Sequence, residues 1–302
     1  MIGTAKSSRS IETRRGIDHL SEASHNLARK LWLYRLLLAI RPAQLADLAK
    51  RLCQIGRVEV KALSGARFWI DPVSILGLSV LKNREFETAL TGAMLTLLRS
   101  GDFFVDVGAN EGYFSVLAAR TIGPNGRVLA IEPQSRLRSV LERNLAANSL
   151  ANVDLLSVAV AEKEGKTLLY LRPSTNTGAS SFTRHWKFGN RAEEVQTMTL
   201  DRLLSERNVA SVRLMKVDCE GAESLVIAGA QRSLGAQVIQ FLTVEYHTAI
   251  CESEACRQAH QTIRGHGYDA VAYGGLILYF QPVLAPEVDQ LQNTTPVPDW
   301  LD

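Results

Sequence analysis

The run Phe103-Phe104-Val105-Asp106-Val107-Gly108-Ala109-Asn110-Glu111-Gly112-Tyr113-Phe114-Ser115 places an acid, two glycines and an asparagine at every second position, directly after residues that read as a buried strand. Gly108 lets the backbone turn sharply and come close to a ligand. Gly112 opens a helix whose first N–H groups lack intrahelical partners and can meet a carboxylate or phosphate. Asn110 stands between them, and asparagine is among the few residues besides glycine that accept a left-handed backbone. Asp106, near the strand's end, can orient the loop or reach the ammonium of a bound amino-acid moiety. Glu132 closes the next apolar run twenty residues after Gly112, where a carboxylate can accept hydrogen bonds from two ribose hydroxyls. A dinucleotide loop would carry glycine at 108, 110 and 113, and the last two positions hold Asn110 and Tyr113. The D-x-G-x-N-x-G pattern with Glu132 therefore points to S-adenosylmethionine (SAM), with NAD as the alternative that shares the acid.

A second group of reactive side chains follows later apolar runs: Asp218 and Glu220 after Val212 to Val217, and Glu245 and His247 after Val238 to Val244. Ligands of open α/β sheets bind beyond the carboxyl ends of the strands, so these four are candidates for chemistry. A sulfonium is its own activated leaving group, which leaves the protein to align the reactants and exclude water. A hydroxyl acceptor must also lose a proton, which calls for a general base. His247 is the first choice, because an unperturbed imidazole with a pKa of about 6.5 is largely neutral near pH 7. Asp218 is the competitor, able to act as base, hold the cofactor or orient His247. Glu220 belongs to the same catalytic group, whereas Glu223 reads as an acid opposing a helix dipole. The four residues could also collect Mg²⁺ or Mn²⁺, but no spacing enforces octahedral convergence, and no metal is assigned. Cys251, Cys256 and His260 do not make a zinc set, since five residues along a helix point the two thiols apart.

These segments resemble the FkbM-type family of class I SAM-dependent methyltransferases. The matching elements are Phe86-Glu87, VDVGANEGYFS (105 to 115), IEP (131 to 133), Asn144, GASSF (178 to 182), TLD (199 to 201), VDCEGAE (217 to 223) and VEYH (244 to 247), covering about two-thirds of the chain in the family's order. The resemblance implies a Rossmann-like α/β fold with a mostly parallel seven-stranded sheet and helices on both faces. It also implies SAM as cofactor and O-methylation of a sugar, polyketide or lipid-linked hydroxyl. Glu87, Tyr113 and Ala159 join Asp106, Gly108, Asn110, Gly112, Glu132 and Asp218 as expected cofactor contacts. Two other functions stay open: a catalytically inactive SAM-binding adaptor and an NAD-binding oxidoreductase.

The elements that must position these groups alternate as βαβ units. Strands are expected at 103–107, 128–131, 153–158, 212–217 and 238–244, with helices at 112–122, 134–148, 200–206, 222–230 and 252–264. A strand pair, 168–171 and 195–198, flanks a polar loop, and the hairpin 268–272 with 276–280 closes the sheet. The loop 173–190, with Arg184, His185, Trp186 and Lys187, is a candidate substrate cover. Three divisions follow: an N-terminal helical extension over 1–60, a catalytic domain over 61–284 and a flexible tail over 285–302.

Composition narrows the class. The 302 residues have near-average apolar and charged fractions, as expected of a globular protein. Residues 1–61 carry twelve Lys or Arg against five Asp or Glu, while the whole chain has a net charge of +3. The basic character is therefore local, and the catalytic region is net acidic with no extended aromatic-basic platform, so no nucleic-acid partner is expected. Leu27, Leu31, Tyr34 and Leu38, then Leu45, Leu48, Leu52 and Ile55, form two helical stripes that need cover from the main domain, a homodimer partner or a membrane surface. Four cysteines without a paired framework and a start without a secretory pattern suggest the cytoplasm.

Overall fold

The computed structural model describes residues 30–182, 191–247 and 253–301. Along the chain the strands are β1 Val58–Lys61, β2 Arg67–Ile70, β3 Phe103–Val107, β4 Arg127–Ile131, β5 Val153–Leu156, β6 Ala159–Val160, β7 Gly165–Tyr170, β8 Ala192–Met198, β9 Val212–Val217, β10 Ile239–Val244, β11 Asp269–Tyr273, β12 Leu276–Phe280 and β13 Thr294–Thr295. The expected seven form the main sheet, extended at one edge by the two-residue β13, in the order β13-β11-β12-β10-β9-β3-β4-β5, while β6, β8 and β7 make a small separate sheet. Five of them, from β5 across to β10, pair in parallel, and β12, β11 and β13 complete the sheet antiparallel.

Buried on both faces, the parallel strands are almost continuously apolar. Successive side chains alternate between two cores. Phe104, Leu214 and Phe241 pack under the helices Ile75–Asn83, Thr88–Leu97 and Tyr113–Ile122, while Val105, Met215 and Leu242 face those at Leu200–Glu206, Glu223–Ala228 and Ser253–Gly265. From β3 the chain winds outward through β4 and β5, then returns to β9 on the other side. That reversal leaves a crevice beyond the strand ends, between the turns that follow β3 and β9.

The N-terminal division differs from expectation. Val58–Lys61 (β1) pairs antiparallel with Arg67–Ile70 (β2), so the boundary expected at residue 60 falls inside a strand of the domain. Residues 30–39 and Ala43–Leu52 are helical as expected, but the second helix docks through its polar side: Asp47 accepts from the Ser174 hydroxyl at 2.6 Å, and Lys50 donates to Ser174 and Asp71. Leu45, Leu48 and Leu52 are left exposed. The tail is also a correction. It contains the helix Ala285–Val288 and strand β13, and it buries Val288, Leu291 and Leu301. Three apolar anchors spaced along a polar segment suffice to fasten it, although its average composition reads as mobile.

Asn144, fully buried, ties three elements together. Its side-chain oxygen accepts from the Trp69 N–H at 2.7 Å, and its amide donates to the Glu111 carbonyl at 2.8 Å. Replacing Asn144 by Ala strands one donor and one acceptor, each worth about 1–3 kcal/mol when left unpaired. The urea midpoint is expected to fall accordingly with an unchanged slope; an unaltered midpoint would show that the tie is not structural.

Candidate functional site

The crevice holds two adjoining pockets. The first has about 600 Å³ of empty space, its open mouth included, between the turn after β3, the end of β4 and Ala159. Gly108 takes φ 83° and Asn110 φ 51°, the left-handed conformations that the turn requires. A Cβ on Gly108 would stand 2.0 Å from the Asp218 carbonyl oxygen, so only glycine lets the two turns touch. The N–H groups of Gly108 and Ala109 both donate to the Ile131 carbonyl at 3.0 Å.

Glu132 lines this pocket while 5 % exposed, accepting from the N–H of Asn110 at 2.8 Å and of Gln134 at 2.9 Å. Burial pushes its carboxyl up to about 7, against the pull of those hydrogen bonds. A carboxylate has about four lone-pair sites, so two stay available to a vicinal diol. Apolar side chains of Ile131, Val158 and Leu169 complete the walls. A buried carboxylate beside an apolar slot is the chemistry that a nucleoside, with its vicinal diol and flat base, requires.

The second pocket, of about 620 Å³ counted the same way, is lined by Glu87, Asp218, Glu220, Glu245 and His247. Asn110, Gly178 and Asp218 line both pockets and form the wall between them. Glu223, fully buried, builds the turn after β9 by accepting from the N–H groups of Cys219 and Gly221, and it fixes His247 through Nδ1 at 2.9 Å. The other ring nitrogen of His247 lies 3.6 Å from Glu220, 3.8 Å from Asp218 and 3.8 Å from Glu245. Burial alone would depress the imidazole, but the Glu223 hydrogen bond and the charges of Glu220, Glu223 and Asp218 lift it to about 9. His247 is thus an imidazolium near neutral pH, contrary to the expectation that it stands ready as a neutral base. Glu220 moves into the working range instead. Burial pushes it up to about 7, with His247 pulling against the rise and Asp218 adding to it.

Lys216 was not among the expected site residues. It is 2 % exposed, lies 3.1 Å from Asp218 and 3.5 Å from Asp106, and donates to the Gly108 carbonyl at 3.2 Å. Burial opposes its charge, yet Asp218, Asp106 and Glu87 hold its pKa above the ordinary lysine range. The signal was in the sequence, since a lysine inside the apolar strand Val212–Val217 needs carboxylates within reach.

Several expected contacts are placed elsewhere. Asp106 is fully buried behind the loop, accepting from the Ser115 hydroxyl at 2.6 Å and facing Lys216, so it orients the turn and does not line either pocket. Tyr113 stacks on Phe68 with ring centroids 4.9 Å apart, and its hydroxyl accepts from the Phe86 N–H; it is core. Gly112 caps the following helix in the left-handed region against Leu141. Gly108, Asn110, Glu132, Ala159 and Asp218 do line the first pocket, and Glu87 lines the second.

Asp218, Glu220 and His247, and separately Glu87, Asp218 and Glu245, offer atoms within 4.8 Å of one another that could ligate a divalent cation. The buried Lys216 ammonium already supplies positive charge beside Asp218. Cys256 is buried in the core and His260 meets the Tyr279 hydroxyl at 2.7 Å. Cys251 and the loop residues Arg184, His185, Trp186 and Lys187 lie outside the described residues.

A glycine turn after β3, a buried acid after β4 and an acid-lined pocket beyond the sheet reversal fit the Rossmann-like fold of the SAM-dependent methyltransferase class. The family profile described as the Methyltransferase FkbM domain matches residues 106–270, more than half of the chain, which belongs to this family. The family's methyl donor is SAM. Methyltransferase 1 of Beauveria bassiana (strain ARSEF 2860) is 30% identical over 144 residues, 42% of this chain and 57% of that protein, so the match spans less than two-thirds of that relative. The 31-O-demethyl-FK506 methyltransferase FkbM of Streptomyces tacrolimicus is 28% identical over 204 residues, 58% of this chain and 75% of that protein. Among solved structures, a SAM dependent methyltransferase from Aquifex aeolicus aligns with a TM-score of 0.36 and 13% identity over 67% of this chain and 91% of that one.

Proposed function

We propose that the protein transfers a methyl group from SAM to a hydroxyl oxygen of a small-molecule, glycan or lipid-linked acceptor. The observation that carries this reading is the shared wall: Asn110, Gly178 and Asp218 face the nucleoside-type pocket on one side and the acid pocket on the other. Bound SAM supplies an electrophilic methyl on a sulfonium. Glu132 holds the ribose end and Asp218, with the Gly108 turn, the end that enters the wall. Glu220 takes the acceptor's proton, because a carboxylate near 7 is substantially ionised at neutral pH and basic enough to receive it. His247, held by Glu223, is the cation that keeps Glu220 from rising further, so it positions and tunes the base. The exposed Trp32, Leu36, Leu48 and Leu52 support a contact of the N-terminal helices with a second copy or a membrane surface, in a cytoplasmic protein.

The pH dependence follows from these signs. Activity needs Glu220 ionised, so kcat/KM is expected to rise through about 7, and the imidazolium of His247, protonated up to about 9, keeps that limb from moving higher. Because the groups interact, the limb belongs to the pair as a unit. Glu220→Gln is expected to remove the acid limb and to lower kcat by about 10²–10⁴-fold, the usual contribution of a general base. His247→Gln is expected to move the acid limb upward while retaining activity. An inactive adaptor would show no methyl transfer in any of these proteins, and abolition by His247→Gln with no effect of Glu220→Gln would return the base to His247.

A further inference from the structure

A second concave surface, unused in the scheme above, runs between the helix Ala43–Leu52 and the chain at residues 171–174, with about 1190 Å³ of open space. Six cations line it, Lys50, Arg51, Arg57, Arg136, Arg172 and Arg191, against two carboxylates, Asp47 and Asp71. Both carboxylates are engaged: Asp47 by the Ser174 hydroxyl, Asp71 by Lys50. Arg57 is held by a bidentate pair with Glu111 at 2.7 and 2.9 Å. Three of the others, Arg51, Arg136 and Arg191, are not paired in this way. The Arg136 guanidinium meets only neutral oxygens, those of Gln134, Ser180 and the Arg172 carbonyl. Arg51 and Arg191 make no side-chain hydrogen bond or ion pair among the described residues. Burial and then the neighbouring charge of Arg191 press the Arg136 pKa down, against the pull of the charges of Glu132, Glu193 and Asp47.

The groove adjoins the acid pocket. Ser174 lies on its wall and Asn176, at the other end of the same three-residue 3-10 turn, on the wall of the pocket holding Glu220. Such a turn spans roughly 6 Å, well within the length of a sugar phosphate. Arginine forks match the geometry of phosphate oxygens, and among the described residues Arg51 and Arg191 are exposed at the rim.

We propose that this groove receives a phosphate or diphosphate group carried by the acceptor, which anchors the molecule while its hydroxyl reaches Glu220; this rests on the methyltransferase reading above. The acceptor is then a phosphorylated compound, either free in solution, such as a sugar phosphate, or displayed as a lipid headgroup.

The test is calorimetric titration of the full chain, saturated with SAM, with inorganic pyrophosphate, and in parallel its sedimentation with phosphatidylcholine vesicles with and without phosphatidic acid. Wild-type protein is expected to bind pyrophosphate, with Arg51→Gln and Arg191→Gln each weakening it about tenfold, the loss of a hydrogen bond to a charged group. Both side chains are exposed, so SAM affinity should be unchanged in the variants. Recruitment to acidic vesicles that the same variants abolish would support the proposal and identify the lipid as the source, whereas pyrophosphate binding without recruitment would support it for a soluble acceptor. Absence of both, or binding that neither variant weakens, would overturn it. Failure of SAM itself to bind would instead defeat the methyltransferase reading, and the pyrophosphate titration would still judge the groove.

Discussion

Replacing Lys216 by Met is expected to cost about 3–5 kcal/mol of folding stability, the usual penalty for removing one partner of a buried ion pair. Domains are stable by only about 5–15 kcal/mol, so the variant should stand near its unfolding threshold. The cause is specific. Lys216 is the cation between Asp106, which is fully buried, and Asp218, and its ammonium also donates to the Gly108 carbonyl. Methionine fills much of the volume but leaves two carboxylates and a carbonyl without that charge. Acidification should partly rescue the variant, because stranded carboxylates can then take up protons. Denaturant unfolding at pH 5 and pH 8 measures both effects. A variant as stable as the wild type at pH 8 would mean that the two turns hold together without the lysine.

Removing the Glu132 carboxylate should weaken SAM binding by about 10²–10⁴-fold, the equivalent of two hydrogen bonds to a charged group. Glu132→Gln keeps the shape and one acceptor, and should lose less than Glu132→Ala. Equilibrium dialysis with labelled SAM reads the affinities. The same substitution should affect stability in the opposite direction at high pH. Burial raises the folded-state pKa from 4.5 to about 7. The carboxyl's contribution to stability is therefore complete below the unfolded value and lost as pH rises through 7. Glu132→Gln should accordingly gain stability relative to wild type at pH 8 and not at pH 4. Unchanged SAM affinity in Glu132→Ala would remove the ribose-binding role.

The parallel core could be read from the sequence because its signals are local. Val212–Val217 and Phe103–Val107 are apolar runs bounded by turn residues, and both occupy the positions expected of them. Asn110 takes the left-handed conformation for which asparagine suits that position. Long-range consequences were not legible. Nothing near His247 in sequence announces Glu223, twenty-four residues earlier, whose hydrogen bond helps to lift the imidazole to about 9. Tyr113 lies within the ligand-binding motif, yet it turns into the aromatic core with Phe68 and Phe86, because a helix presents its next side chain about 100° round from the last. The tail is misread for a related reason: averaged polarity hides Val288 and Leu291, which pack into one core, and Leu301, which packs into the other. The basic groove joins Arg51 to Arg191, 140 positions apart, so local charge counting reads each as solvated.

Calorimetric titration of the purified chain with SAM and, separately, with NAD tests the central claim most directly, since both ligands carry a ribose diol, whereas Asn110 and Tyr113 depart from the glycine spacing of a dinucleotide loop. Saturable binding of one SAM per chain, with no heat from NAD, is the expected result. A folded protein that ignores SAM, or that takes NAD in preference, would contradict it.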